Sequence, residues 1–292
     1  MNHFADRLLA AIDQKGSPVC VGLDPNLTRM PQEFRNGATV DEQLAAIRTF
    51  CRGVLDVVAP IVPAVKPQNA YFEALGPKGS ALYFELISYA RELGLLVISD
   101  AKRGDIGSTS AAYAAAHLRG EAAADSLTVN GYFGADGTQP FVDAAAETGR
   151  GLFVLVRTSN PSGTTIQNFT DASGKMFYQH MAEQVAALGS QCVGERGYSA
   201  IGAVVGATCP AEARELRETM PQQIFLVPGY GAQGATADDC CASFKADGTG
   251  AMVNASRSVL YPAGGDGADW KDAVQAAAKD FAADIAGAIA RL

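Results

Sequence analysis

The 292-residue chain has few of the residues that build metal centres or disulfide frameworks. It contains three histidines and six cysteines, and the cysteines are scattered without any Cys-x-x-Cys pair. Zinc sites and disulfide scaffolds need closely spaced ligands or paired cysteines. The sequence therefore predicts no metal site. Reduced, mostly structural thiols are also what we expect of a cytoplasmic protein.

Long apolar runs are absent as well. No stretch approaches the roughly 18 consecutive apolar residues that a membrane span needs. Asp6, Arg7 and Asp13 interrupt the apolar pattern of the first fifteen residues, whereas a signal peptide has an uninterrupted apolar core. We expect neither a membrane segment nor a targeting segment.

Basic residues are outnumbered, with 23 lysines and arginines against 31 acids and a net charge of −8. Nucleic-acid surfaces need clustered Lys and Arg to neutralise phosphates. The balance therefore predicts that nucleic acid is not a partner. It does not exclude a small anionic substrate, because a few local cationic groups can hold one phosphate on an acidic protein.

Eight short runs rich in β-branched and apolar residues recur along the chain. Several are apolar at nearly every position, which is typical of strands buried on both faces of a parallel sheet. The predicted strands are Pro18–Asp24, Ile61–Lys66, Leu95–Lys102, Ser126–Asn130, Gly151–Ser159, Ile201–Thr208, Ile224–Tyr230 and Ala251–Ser256. The predicted helices that follow them are Asp41–Ala59, Ser80–Leu93, Ser108–Arg119, Thr138–Thr148, Gly174–Leu188, Pro210–Met220, Thr236–Asp247 and Asp269–Leu292.

Eight consecutive strand–helix units without a break in composition favour one closed (β/α)8 TIM barrel over an open doubly wound α/β sheet. An extra amphipathic helix, at about Asn2–Gln14, is predicted ahead of the first strand. No linker or low-complexity tract suggests a second domain, so we expect a single barrel domain over residues 1–292. The loop Ser159–Ser173 follows a strand and should lie on the catalytic face of the barrel.

Charged residues occupy the predicted carboxyl ends of three strands, which form the catalytic face of such a barrel. The first strand ends at Asp24 and the second at Lys66, while strand alternation places Asp100 and Lys102 on one face of the third. Asp105 follows in the loop. A carboxylate beside an ammonium keeps the lysine charged, so the lysine is suited to donate a proton. A simple ion pair is the structural alternative, but polar residues at the neighbouring strand ends favour a site.

The seventh and eighth strands lead to a pattern that suits phosphate. Glycines 229, 231 and 234 allow backbone N–H groups to approach an anion closely. Gln233 and Arg257 can add side-chain donors, and barrels commonly bind phosphate after these two strands. We expect a phosphorylated small molecule whose reacting end points to the Lys–Asp array. His3, His117 and His180 fall in predicted helices and are expected to be surface or packing residues.

Taken together, these segments resemble the orotidine 5′-phosphate decarboxylase family, in the form found in its longer-chain branch. Asp100–Gly107 reads D-A-K-R-G-D-I-G, similar to the family's D-x-K-x-x-D-I signature. The resemblance spans Val21 to Arg257. The other matching segments are Val21–Pro25, Val65–Gln68, Thr158–Pro161, Val227–Gly234 and Asn254–Arg257, in the family's order.

The resemblance implies a carboxy-lyase that converts orotidine 5′-phosphate to UMP and CO2, the last step of pyrimidine synthesis, without metal or cofactor. By similarity, Asp100 would lie against the substrate carboxylate and disfavour the ground state. Lys102 would stabilise the developing carbanion at C6 and protonate it. Lys66 and Asp24 would bind the ribose hydroxyls, and Lys66 would also complete the charge array.

The same resemblance implies a homodimer with shared sites. Asp105 would reach across the interface into the partner's site, with Ile106 and Thr109 beside it. The pyrimidine ring would contact Ser159, together with Thr158. Gln233 and Arg257 would hold the phosphate.

Three other functions share part of this residue pattern. A sugar-phosphate lyase of the same superfamily, such as a keto-gulonate-phosphate decarboxylase or a hexulose-phosphate synthase, would use Mg²⁺ and need an extra acid near the third strand. The residue two before Asp100 is Ile98, which disfavours it. A Schiff-base aldolase would use Lys102 or Lys66 as a nucleophile, but Asp100 argues against a depressed lysine pKa. A non-catalytic phosphate-binding barrel would have lost part of the array, and no member is missing.

Overall fold

In a computed structural model that describes residues 3–292, eight parallel strands close into a barrel. The strands follow one another in chain order, and β8 pairs with β1 to complete the ring. They are β1 Val19–Leu23, β2 Ala64–Pro67, β3 Leu96–Arg103, β4 Ser126–Val129, β5 Gly151–Arg157, β6 Ser199–Val205, β7 Gln223–Pro228 and β8 Ala251–Ala255. The predicted (β/α)8 barrel is therefore confirmed.

Helices cover the outside of the ring. They are α1 Phe4–Lys15, α2 Val40–Val58, α3 Asn69–Glu73, α4 Gly76–Glu92, α5 Gly107–Leu118, α6 Gly134–Thr148, α7 Thr164–Gln167, α8 Phe177–Gly189, α9 Pro210–Thr219, α10 Ala237–Cys241, α11 Arg257–Leu260 and α12 Trp270–Ile289. The extra helix α1 precedes β1 as predicted, but the predicted start at Asn2 lies outside the described residues. Within residues 3–292, no helix is both long and apolar enough to cross a membrane.

The structure adds the short helices α3 and α11, which were not predicted, and it shifts the ends of most predicted helices. The helix expected over Thr236–Asp247 ends at Cys241, where the backbone changes to i→i−3 hydrogen bonds, from the Ser243 N–H to the Cys240 carbonyl and from the Phe244 N–H to the Cys241 carbonyl, both at 3.1 Å. The expected loop Ser159–Ser173 contains the short helix α7. Single helical turns escape prediction from periodicity because they are too short to show an apolar repeat.

The apolar residues form two layers. The larger layer lies between the strands and the outer helices. The smaller fills the barrel, where side chains such as Cys20, Ile98 and Phe153 pack together with Phe4 and Leu8 of α1. Helix α1 therefore closes the amino end of the barrel, and the carboxyl ends of the strands remain open for a site.

Close contact between α1 and β5 depends on a glycine at the start of the strand. The ring of Phe4 packs edge-on against Phe153 with centroids 5.8 Å apart. A Cβ on Gly151 would lie 2.1 Å from Cδ1 of Phe4. Only glycine leaves room for the ring there.

Phe4 and Gly151 are expected to be energetically coupled. Gly151→Ala should lower the free energy of unfolding by about 1–3 kcal/mol through overpacking, and Phe4→Ala by about 3–5 kcal/mol through the cavity it leaves. In the double variant the new methyl has room, so the loss should fall short of the sum by at least about 0.5 kcal/mol. Urea unfolding of the four proteins measures this coupling.

Gly120→Ala is the matched control, since a Cβ there meets no atom within 4 Å. It should change the free energy of unfolding by about 0.5 kcal/mol or less. Strictly additive losses for Phe4 and Gly151 would show that α1 does not seal the barrel through this contact.

Candidate active site

A cavity of about 680 Å³ opens at the carboxyl ends of the strands. Every strand of the barrel contributes a residue at or near its end, because parallel strands converge at this face. Eight of the residues predicted from the sequence line the cavity: Asp24, Lys66, Asp100, Lys102, Thr158, Ser159, Gln233 and Arg257. Segments that are far apart in the chain therefore meet in one pocket.

The floor of the cavity holds a carboxylate between two ammonium groups. Lys66 Nζ donates to Asp100 Oδ2 at 2.6 Å, and Lys102 Nζ donates to Asp100 Oδ1 at 2.6 Å. The side chains of Asp100 and Lys66 are 6% and 7% exposed, whereas that of Lys102 is 48% exposed. Lys102 can therefore meet a ligand, while the other two charges are enclosed.

The two lysines determine the protonation state of Asp100. Burial acts to raise the pKa of this carboxyl, but the charges of Lys66 and Lys102 outweigh it and hold the pKa well below its usual range. For Lys66, burial acts to lower the pKa, and Asp100 and Asp24 outweigh it and raise the pKa above its ordinary value. Both groups remain charged at neutral pH.

Thr128 and Gln68 complete the hydrogen bonding of Asp100, and neither was predicted as a site residue. Thr128 Oγ1 donates to Asp100 Oδ1 at 2.9 Å and accepts from the Lys102 N–H at 2.9 Å. Gln68 Nε2 donates to Asp100 Oδ2 at 3.0 Å. A threonine within a strand carries no motif, although its inward position on β4 was a usable signal. Gln68 belongs to the Val65–Gln68 segment but received no role.

Lys102 has an unusual backbone conformation. Among residues 3–292 it is the one non-glycine residue with a positive φ, at 47°. The pairing of β3 with β4 shifts register between Ser99 and Arg103, so Lys102 lies in an irregular, bulge-like stretch of β3, called the bulge below. Bulges next to active sites redirect a side chain. Here the bulge turns the ammonium of Lys102 back onto Asp100.

The wall formed by β1 and β8 presents hydrogen-bond acceptors. Oδ1 of Asp24 and Oδ1 of Asn254 are buried in the cavity lining, and neither has a hydrogen-bond partner among residues 3–292. Buried acceptors are normally paired. These two are therefore suited to a ligand that offers hydroxyl donors. Asn254 was not predicted as a site residue.

The wall formed by β7 and β8 presents donors instead. Gly229, Gly231 and Gly234 have φ values of 119°, 66° and 93°, conformations that favour glycine. Gln233 and Arg257 line the cavity beside this turn, and Arg257 Nη2 donates to the Ala232 carbonyl at 3.3 Å. This wall is suited to an anion, as expected for phosphate.

A glutamine ties the loop after β5 to the cavity rim. Gln167 Nε2 donates to Thr158 Oγ1 at 2.6 Å, and the Thr158 N–H donates to Gln167 Oε1 at 3.1 Å. Arg157, which precedes Thr158, is buried and pairs with Glu212 at 2.9 Å. These contacts place Thr158 and Ser159 at the rim.

Three predicted residues lie outside the cavity lining. The Asp105 side chain accepts a hydrogen bond from the Ile106 N–H at 2.8 Å, while Ile106 and Thr109 are exposed. They lie on the surface beside the pocket, so a single chain does not bring them into it. In the described part of the chain, no group of three or more His, Cys, Asp or Glu side chains is arranged to hold a metal ion.

Known proteins are similar to this chain over most of its length. The model of the orotidine 5′-phosphate decarboxylase / HUMPS family matches residues 17–273. A Rhodopirellula baltica protein named orotidine 5′-phosphate decarboxylase is 45% identical over 293 residues, covering 95% of this chain and 97% of that protein.

Solved structures are similar over nearly the whole chain. A crystal structure of a Streptomyces avermitilis protein has a TM-score of 0.84 at 37% identity and covers 99% of this chain and 97% of its own. The Leishmania donovani OMP decarboxylase has a TM-score of 0.76 at 29% identity, covering 98% and 99%. The chain described here belongs to the orotidine 5′-phosphate decarboxylase / HUMPS family.

Proposed function

We propose that this protein is a carboxy-lyase that converts orotidine 5′-phosphate to UMP and CO2 in pyrimidine biosynthesis. The observation that carries the proposal is the Asp100 carboxylate held between Lys66 and Lys102 at one end of a cavity, with anion donors at the other. The named relative from Rhodopirellula baltica supports the same activity.

The array of Lys66, Asp100 and Lys102 favours loss of the substrate carboxylate over its binding. A substrate carboxylate placed beside Asp100 meets a like charge whose lysine partners are already engaged, which disfavours the ground state. As the C6–carboxylate bond breaks, CO2 leaves and the electron pair stays on C6. The Lys102 ammonium stabilises this carbanion and then transfers a proton from Nζ to C6. Solvent restores the lysine proton after UMP leaves.

The rest of the cavity orients the nucleotide. The phosphate binds at Gln233 and Arg257, and the ribose hydroxyls donate to Asp24, near Lys66. The pyrimidine ring then lies toward Thr158 and Ser159. Binding energy from the remote phosphate offsets the cost of bringing two carboxylates together.

A Mg²⁺-dependent sugar-phosphate lyase is the alternative within this family, whose description also includes the HUMPS proteins. Such an enzyme needs an additional acid near β3. Ile98, two residues before Asp100, is fully buried in the apolar interior of the barrel. The position therefore offers no ligand, which favours the metal- and cofactor-free decarboxylase.

We further propose a homodimer in which Asp105 enters the partner's site together with Ile106 and Thr109. Apolar side chains near Asp105 are unusually exposed, with Ile106 at 58%, Tyr132 at 69% and Phe133 at 45%. Clustered exposed apolar residues mark interaction surfaces. If a second copy covers this surface, each copy brings its Asp105, Ile106 and Thr109 to the cavity of the other.

The remaining assignments are proposals on the same basis. Residues 1–292 form one decarboxylase domain. The protein acts in the cytoplasm, as its six free cysteines suggest. It binds no nucleic acid and no membrane.

Purified protein is expected to turn over orotidine 5′-phosphate, and the rate should be unchanged by EDTA. The loss of substrate absorbance measures this rate. Lys102→Ala should lower kcat by at least about 100-fold, because proton donation alone contributes about 10²–10⁴-fold. Lys78→Ala is the matched control, since Lys78 also pairs with a carboxylate, Asp41, but on an exposed helix pair. An absence of wild-type turnover, or turnover that needs Mg²⁺, would contradict the proposed function.

Arg257→Ala is expected to weaken UMP binding by about 10–100-fold, the range for loss of a hydrogen bond to a charged group. Binding of uridine, which has no phosphate, should not change. Titration calorimetry with UMP and with uridine measures the two affinities. Arg291→Ala, which removes an exposed arginine paired with Asp238, should bind both ligands like the wild type. Equal losses for UMP and uridine would argue against a phosphate role for Arg257.

Shared sites predict complementation between inactive variants. Lys102→Ala and Asp105→Ala should each have little activity, whereas a mixture that exchanges subunits regains about a quarter of wild-type activity, because half of the dimers then hold one intact site. Sedimentation confirms the dimer, and mass spectrometry of tagged subunits confirms exchange. Exchanged mixtures that stay inactive would rule out a site shared through Asp105.

A further inference from the structure

A chain of polar side chains lies behind β3, on the face opposite the cavity. Asp100 and Lys102 point into the barrel, whereas Ser99 and Arg103 point outward to the helices, as strand alternation requires. The Arg103 guanidinium pairs with Glu73 of α3, and its Nε donates to His117 Nε2 on α5 at 3.4 Å. No role in the proposed chemistry uses these residues.

The chain continues from His117 into the core. His117 Nδ1 lies 2.9 Å from Ser99 Oγ, which lies 2.6 Å from the hydroxyl of Tyr83 on α4. Ser99, His117 and Tyr83 are all at most 4% exposed. His117, expected to be a surface or packing residue, is buried and bonds to Ser99 and Arg103 of β3, which in turn bond to α4 and α3.

Arginine fixes the direction of these hydrogen bonds. A guanidinium only donates, so Nε2 of His117 must accept, and Nδ1 then carries the proton and donates to Ser99. The imidazole is therefore neutral. Burial, followed by the Arg103 charge, lowers the pKa of His117 to about 4, while Glu73 opposes the shift. The ring of Phe84 also packs on His117 but carries no charge.

Arg103 directly follows the bulge that turns Lys102 toward Asp100. On the cavity side, Thr128 holds the Lys102 N–H. On the outer side, the Arg103 carbonyl accepts from the Asn130 N–H at 2.7 Å, and its side chain is anchored at Glu73 and His117. A left-handed conformation at a lysine persists only where its surroundings enforce it. These anchors enforce it from outside.

We propose that Arg103, held by His117 and Glu73, is a positioning residue that sets the left-handed conformation of Lys102 and so aims its ammonium at the reacting carbon. The proposal rests on the proposed decarboxylation for its catalytic consequence only. Its structural consequence, the conformation of Lys102, is independent of which reaction the protein performs.

The first test separates chemistry from binding. Arg103→Met keeps the length of the side chain but removes its donors, and should lower kcat for orotidine 5′-phosphate by about 10-fold or more, since a small misplacement of a reacting group is costly. KM and the Kd of UMP should stay within about threefold, because the phosphate and ribose contacts are untouched. Arg48→Met, which breaks the exposed pair with Glu85, should change neither kcat nor KM.

The second test measures whether kcat depends on the hydrogen bond that His117 Nε2 accepts from Arg103. His117→Leu should lower kcat in the same way as Arg103→Met. His117→Gln, whose amide oxygen can accept from Arg103, should restore most of the loss. Equal kcat values for the Leu and Gln variants, or losses in KM rather than kcat, would show that His117 only fills space.

A crystal structure of Arg103→Met tests the positioning role without an activity assay. Lys102 is expected to leave its positive φ, with its Nζ no longer paired with Asp100. Wild-type protein inactive on orotidine 5′-phosphate would overturn the proposed function but leave this structural test valid. Retention of the Lys102 conformation and of its contact with Asp100 in Arg103→Met would overturn the positioning role.

Discussion

The site depends on one buried carboxylate that two lysines hold in its charged form. Burial of a carboxylate costs on the order of several kcal/mol, and only close pairing with complete hydrogen bonding offsets it. Asp100 has a lysine at 2.6 Å on each oxygen, with Thr128 and Gln68 as further donors. These four donors are already bonded to Asp100. A second carboxylate placed beside it would therefore meet a like charge, and the donors around Asp100 would already be engaged.

The barrel separates the end that stabilises the fold from the end that binds ligand. Helix α1 inserts Phe4 and Leu8 into the apolar interior at the amino end, where Phe4 packs against Phe153. At that other end, residues such as Asp24, Asn254 and Arg257 can keep unpaired or half-exposed polar atoms. Acceptors on one wall and donors on the next suit the hydroxyls and the phosphate of the proposed nucleotide substrate.

Strands and main helices were predictable because their patterns are local. Buried parallel strands read as continuous apolar runs, so β5 begins at Gly151 as predicted and ends two residues before the predicted Ser159. The helix expected to reach Asp247 stops at Cys241, because tight i→i−3 turns at Ser243 and Phe244 replace helix continuation there. Site residues within a sequence motif, such as Asp100 and Lys102, could also be predicted. Thr128 and Asn254 were missed since their importance lies in neighbours on other strands.

The sequence by itself determined the barrel and the face shared by Asp100 and Lys102, because apolar periodicity and strand alternation are properties of consecutive residues. Tertiary structure alone decided that Thr128 meets Asp100, and that Lys102 takes a positive φ within a bulge. It also placed Asp105 beside the pocket rather than in it. These outcomes depend on distances and hydrogen bonds between distant segments, which exist only after the ring of strands has closed.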